Sequence, residues 1–110
     1  MFDKLKNIEK SKVLCLKDEI EISDGQVVSK TLVQNGAVGI TLFAFSKGEG
    51  ISSHESTGDA MVYCLYGEGL ITIDGVEYTI KDGETIIMPA GHPHAVYAKE
   101  DFKMLLTVVF

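Results

Sequence analysis

Three histidines, His54, His92 and His94, are the side chains in this sequence best equipped for chemistry, and two of them stand one residue apart across Pro93. An imidazole titrates close to neutral pH, so it can serve as a general base, a hydrogen-bond partner or a metal ligand. Three imidazole nitrogens with open positions suit zinc, iron, nickel, copper or manganese. Whether the rings meet depends on strand parity. Successive side chains of a β-strand alternate faces, so a strand over residues 51–56 puts His54 and Ser56 on the same side. His94 and Val96 share a face on a later strand. Pro93 favours an extended residue before it, which gives His92 the same parity as His94. The three rings are therefore expected to converge. Glu55 has the opposite parity and is expected to point away, and Asp59 falls in a turn from which it reaches the mouth.

The elements that must hold these rings are strands. From residue 26 onward, short β-branched and alternating runs are cut by turn signals every 8 to 12 residues. Gln26–Gln34 and Ala37–Ser46 flank Asn35-Gly36, and Leu70–Ile73 and Val76–Ile80 flank Asp74-Gly75, two hairpin patterns. Further strands are expected at 51–56, 60–66, 84–88, 94–98 and 102–110, giving eight or nine in all. Gly67-Glu68-Gly69 reads as punctuation between two of them. Residues 2–10 have one thin apolar stripe, Phe2, Leu5 and Ile8, enough for a single loose helical turn. The pattern is that of an all-β chain, a sandwich, jelly roll or small barrel. On strand parity Ala60, Val62 and Cys64 point inward, with Met88 or its neighbours, and with Met104, Leu106 and Val108 or their opposite-parity partners. Together with Ser56 and the histidines they make a pocket that is apolar with a few polar points, the composition of a small-ligand site.

Length and charge set further bounds. A chain of 110 residues fits one domain with one modest core. The net charge is −6 and all ten basic residues are lysines, so no arginine is present for bidentate grips on phosphate or carboxylate. Neither nucleic acid nor an anionic membrane is an expected partner. Cys15 and Cys64 stand among apolar neighbours and are expected to be buried, reduced thiols. The first twelve residues have no apolar signal-peptide segment, so the cytoplasm is the expected location.

Two segments carry more than composition. The first runs from Gly48 through His54, Ser56 and Ala60 to Gly67. The second runs from Gly83 through Pro89, Gly91 and His92 to His94. Their spacing resembles the two sequence motifs of the cupin family. The resemblance implies a single-domain, RmlC-like double-stranded β-helix, or jelly-roll barrel. It implies an N-terminal arm and first strand over residues 1–25 and the barrel over 26–110. It also implies a homodimer, in keeping with an apolar outer face at Met61, Tyr63 and Leu65. In metal-binding cupins the ligands occupy the positions held here by His54, Ser56, Ala60 and His94. Alanine cannot ligate and serine is a poor neutral ligand, so half the usual set is missing. The motif-two asparagine position is Ala98.

Two functional readings follow. The first is a cupin that binds a small molecule in its barrel, with absent or weak metal binding and no assigned reaction. The second is a metal-dependent enzyme of the dioxygenase, isomerase or decarboxylase type, built on His54, His92 and His94 around one divalent zinc, iron, nickel, manganese or copper ion. A scaffold whose only task is dimerisation is the plainest third reading. Whether the protein is an enzyme stays open at this stage. Nucleophilic triads and phosphate-binding loops have no recognisable pattern in the chain.

Overall fold

A computed structural model describes residues 4–110. It contains seven strands: β1 Val27–Gln34, β2 Val38–Phe45, β3 Gly50–His54, β4 Asp59–Ile73, β5 Val76–Lys81, β6 Thr85–Met88 and β7 His94–Val109. Every pairing is antiparallel. Strands β7 and β4 form the spine. The first half of β7 pairs with β3 and its second half with β2, while β4 runs alongside it throughout. In the same way β4 takes β6 on its first half and β5 on its second. Two long strands that each serve two sets of partners wrap the sheet around one interior, the all-β barrel the sequence implied.

The seven strands come from nine expected segments, because residues 60–66 and 70–73 are one strand, as are 94–98 and 102–110. Gly67-Glu68-Gly69 does not end β4. It is a corner where the ladder continues through irregularities at Cys64/Tyr66 and Gly67/Gly69. Gly67 has φ +86°, and a Cβ there would collide with the Asp101 carbonyl oxygen on β7. A glycine read as a break is thus a close approach of two backbones. Asp74-Gly75 is the two-residue hairpin turn expected, with φ of 52° and 80°. Asn35 closes the other hairpin, its Oδ1 accepting from the Ala37 and Val38 N–H groups at 2.8 and 3.0 Å.

Alternation along β4 buries Ala60, Val62 and Cys64 and exposes Met61 and Tyr63. The interior is filled at one end by a stack of Phe43, Phe45 and Phe102, with ring centroids 5.8 and 5.6 Å apart, beside Ile71, Ile80 and Ala98. The other end is left to a pocket. A second apolar cluster lies outside the barrel, where Leu32, Leu42 and Ala44 of β1 and β2 meet Ile8, Leu16, Ile20 and Ile22 of the N-terminal arm.

The arm departs from expectation in three ways. Residues 4–25 contain no strand, only a 3-10 turn at Leu16–Asp18, because the segment buries its apolar residues against a finished sheet face instead of pairing. The described part of the expected helical turn, residues 4–10, is not helical: Leu5 is exposed while Ile8 packs inward, and Phe2 lies outside the described residues. Cys15 is exposed rather than buried, since its neighbours Leu14 and Leu16 take the inward positions. Hydrogen bonds fasten the arm: the Lys6 N–H donates to the Leu32 carbonyl at 2.8 Å, and the Lys103 ammonium to the Lys17 carbonyl at 2.6 Å.

Candidate functional site

His54 is the last residue of β3 and His94 the first of β7, and the two are register partners. Antiparallel pairing puts their side chains on the same face. The ring centroids are 4.4 Å apart at 72°, edge to face, and the two Nε2 atoms are 3.1 Å apart. His94 is 3% exposed, whereas His54 is open to solvent. Both rings are oriented from behind by the backbone. The His54 Nδ1–H donates to the Ser52 carbonyl at 3.0 Å, and the His94 Nδ1–H to the His92 carbonyl at 3.3 Å. Burial lowers the pKa of His94 below the ordinary 6.5, and the neighbouring His54 lowers it further, against the opposing effect of the hydrogen bond that the ring donates to the His92 carbonyl. The buried ring is therefore held in its neutral form.

A cavity of about 440 Å³ opens beside this pair. Its walls are Phe43, Ile51, Val96, Met104, Leu106 and Val108, with Met88 and Ala60 across the barrel. Its polar groups are the two imidazoles with Glu55, Ser56 and Thr57 on the loop after β3. A volume of this size, apolar with polar groups gathered at one end, is that of a small-molecule site.

Of the residues singled out from the sequence, His54, Ser56, Ala60, Met88, His94 and Met104 line this cavity together. Val62 and Cys64 point inward as parity requires but are sealed in the core below it, both 0% exposed. Burial pushes the Cys64 thiol up to about 11, with Asp82 and Glu84 adding to the rise, so it remains protonated and is no nucleophile.

His92 does not join the pair. It lies in the turn before β7, and its Nδ1 faces the Asp74 carboxylate at 2.6 Å on the exposed β4–β5 hairpin. Parity failed there because β7 starts at His94, and alternation does not extend through Pro93 into a turn. Glu55 is the opposite error. Strand β3 ends at His54, so residue 55 is not bound by strand alternation and lines the cavity. Asp59 does not reach the mouth but accepts the Ala90 N–H at 2.9 Å. Sequence reasoning also missed Phe43, Ile51 and Thr57; inward parity on β2 was the signal available for Phe43.

The donor set falls short of a resident metal centre. Structural sites use four protein ligands and catalytic sites three, and here only His54 and His94 aim nitrogens at a common point. Ala60 has no donor, and the Ser56 hydroxyl oxygen accepts the Gly58 N–H at 3.2 Å. Among the described residues, no cluster of three or more His, Cys, Asp or Glu could hold a metal ion. The three-histidine centre is therefore not formed. No helix among the described residues is long and apolar enough to cross a membrane.

Comparison with known proteins gives these features a family. The cupin domain profile matches residues 41–110, which contain both histidines and every wall of the cavity. The chain belongs to the cupin family. It is similar to a conserved Streptococcus pyogenes protein of unknown function, at 51% identity over 97% of this chain and 94% of that one, with a TM-score of 0.95. A cupin superfamily protein from Desulfitobacterium hafniense shares 35% identity over 98% and 99% of the two chains, at a TM-score of 0.93. A cupin 2 conserved barrel domain protein from Leptotrichia buccalis shares 41% identity over 86% of this chain but 46% of its own, at 0.84. No curated protein matches the sequence.

Proposed function

We propose that this cupin domain binds a small, largely apolar organic molecule inside its barrel, using the His54–His94 pair as the polar anchor and no resident metal. The observation that carries the reading is the junction of the two parts of the site. An apolar cavity of about 440 Å³ ends on two imidazoles whose Nε2 atoms have no hydrogen-bond partner among the described residues except each other. Apolar walls supply affinity through burial, and a few fixed polar atoms supply orientation. The backbone carbonyls of Ser52 and His92 hold both rings in place before any ligand arrives, which spares the binding step the cost of ordering them.

Filling the cavity from within tests this. Leu106 lies on β7 with its side chain at the wall. Leu106→Trp should occupy the space a ligand needs while leaving the sheet intact. Compact aromatic probes, followed by ligand-observed NMR, should bind the native protein and lose affinity by about tenfold or more in the variant, a change of roughly 1.4 kcal/mol. Equal binding to both proteins, with both folded, would place the ligand elsewhere and reject the reading.

A further inference from the structure

The His54–His94 contact has a donor-acceptor problem that indicates what the ligand carries. Both Nδ1 atoms face backbone carbonyl oxygens, at 3.0 and 3.3 Å. A carbonyl only accepts, so each Nδ1 bears the hydrogen. A neutral ring with its hydrogen on Nδ1 presents a lone pair at Nε2. Two such lone pairs therefore face one another at 3.1 Å. With one hydrogen on each ring, held at Nδ1 by the backbone carbonyls, neither ring supplies a donor to the other. The arrangement is satisfied by a group that brings hydrogens to both nitrogens at once.

The surroundings select among such groups. Glu55 adds a carboxylate to the same cavity, and Ser56 and Thr57 add hydroxyl oxygens. No lysine lines the cavity, the chain has no arginine, and the net charge is −6. The site therefore offers acceptors and negative charge at its polar end and hydrocarbon at the other. A carboxylate or phosphate ligand would bring more acceptors to acceptors, next to Glu55. A neutral alcohol has one hydrogen for two nitrogens. A primary ammonium has three N–H donors and a positive charge.

We propose that the ligand of this pocket is a primary organic amine with a compact apolar body, its ammonium group donating to both Nε2 atoms with Glu55 as counter-charge. This rests on the small-molecule reading above. Binding moves no proton, since the amine enters as the cation and only donates hydrogen bonds. Its apolar body lies against Phe43, Val96, Met104 and Leu106.

Four probes of one shape test it at pH 8: benzylamine, benzyl alcohol, benzoate and toluene. Affinities are read by ligand-observed NMR. Benzylamine should bind about tenfold more tightly than benzyl alcohol, because hydrogen bonds to a charged group exceed neutral ones by that order, and benzoate should bind most weakly. His54→Leu should reduce benzylamine binding by about tenfold, and His54→Gln, which returns an acceptor oxygen, should recover part of it. Glu55→Gln should weaken benzylamine several-fold. If all four probes bind alike, or benzoate binds best, the amine assignment is overturned and the small-molecule reading stands. If none binds, both fall. Position 54 is solvent-exposed, so the variants should fold, and an unchanged melting temperature confirms it.

Discussion

His94 is nearly closed off from solvent, yet it carries a titratable ring with His54 as its neighbour. Its pKa is lowered in the fold from the ordinary 6.5, first by burial and then by His54. The sign of the consequence follows from linkage. A depressed pKa means that the unfolded chain takes up the proton more readily than the native one. The stabilisation is fully present above pH 6.5 and is lost as the pH falls from there through the lower native value. The melting temperature should therefore drop as the pH falls below 6.5, and His94→Gln should show a shallower drop. Parallel curves for the two proteins would mean that His94 is not the group responsible. The cysteines make a second contrast at this scale. Cys15 is exposed and Cys64 is buried with its thiol held at about 11, so a maleimide should label one cysteine in the native protein and both after unfolding. Side-chain placement was legible in the sequence wherever a strand continued on both sides, as at Ala60, Val62 and Met104. It failed just outside strand limits, one residue past β3 at Glu55 and two before β7 at His92, because alternation is a property of paired backbone and stops with it.

The elements were legible in number and type but not in length. Gly67-Glu68-Gly69 reads as a break like Asn35-Gly36 and Asp74-Gly75, yet only the latter two are hairpins. What separates them is long-range: β7 runs beside β4 on both sides of the corner, and no local pattern records that. The corner depends on a few contacts. Gly67→Ala must accept a left-handed backbone, about 1–2 kcal/mol for an L-residue, and also push the Asp101 carbonyl aside, which breaks the approach of β4 to β7. A loss of several kcal/mol is expected, read as a falling midpoint in urea unfolding. Phe102 stands at the same corner, fully buried, stacked on Phe45 and covering Gly69. Phe102→Ala should cost about 3–5 kcal/mol by opening a void between the stack and the corner. If both variants unfold at the native midpoint, the corner is not the place where the barrel is held closed.

Taken as one molecule, the protein has two apolar layers separated by the thickness of a single sheet. The inner layer surrounds the pocket, and the outer layer exists only because residues 4–25 fold back over β1 and β2. A division into an arm and an independent barrel at residue 26 therefore cuts through a packed cluster. Ile20, 5% exposed, is the deepest arm residue in it and rests among Leu32, Leu42 and Ala44. Ile20→Ala should cost about 2–5 kcal/mol, like other deletions of a large aliphatic side chain from a filled site. A chain beginning at Gln26 removes the cover entirely. It should bind the dye ANS, melt lower than the full chain and associate through the uncovered face, since monomers rarely carry large contiguous apolar patches. The Leu32 carbonyl, which accepts from the Lys6 N–H, would also lose its partner along the open edge of β1. Histidine geometry supplies the internal control, because β3 and the start of β7 lie away from the arm's contacts. Loss of the arm should weaken the fold while leaving the ligand preferences of the surviving native fraction intact. A shortened chain that melts with the full-length protein and stays dark with ANS would show that the barrel stands alone.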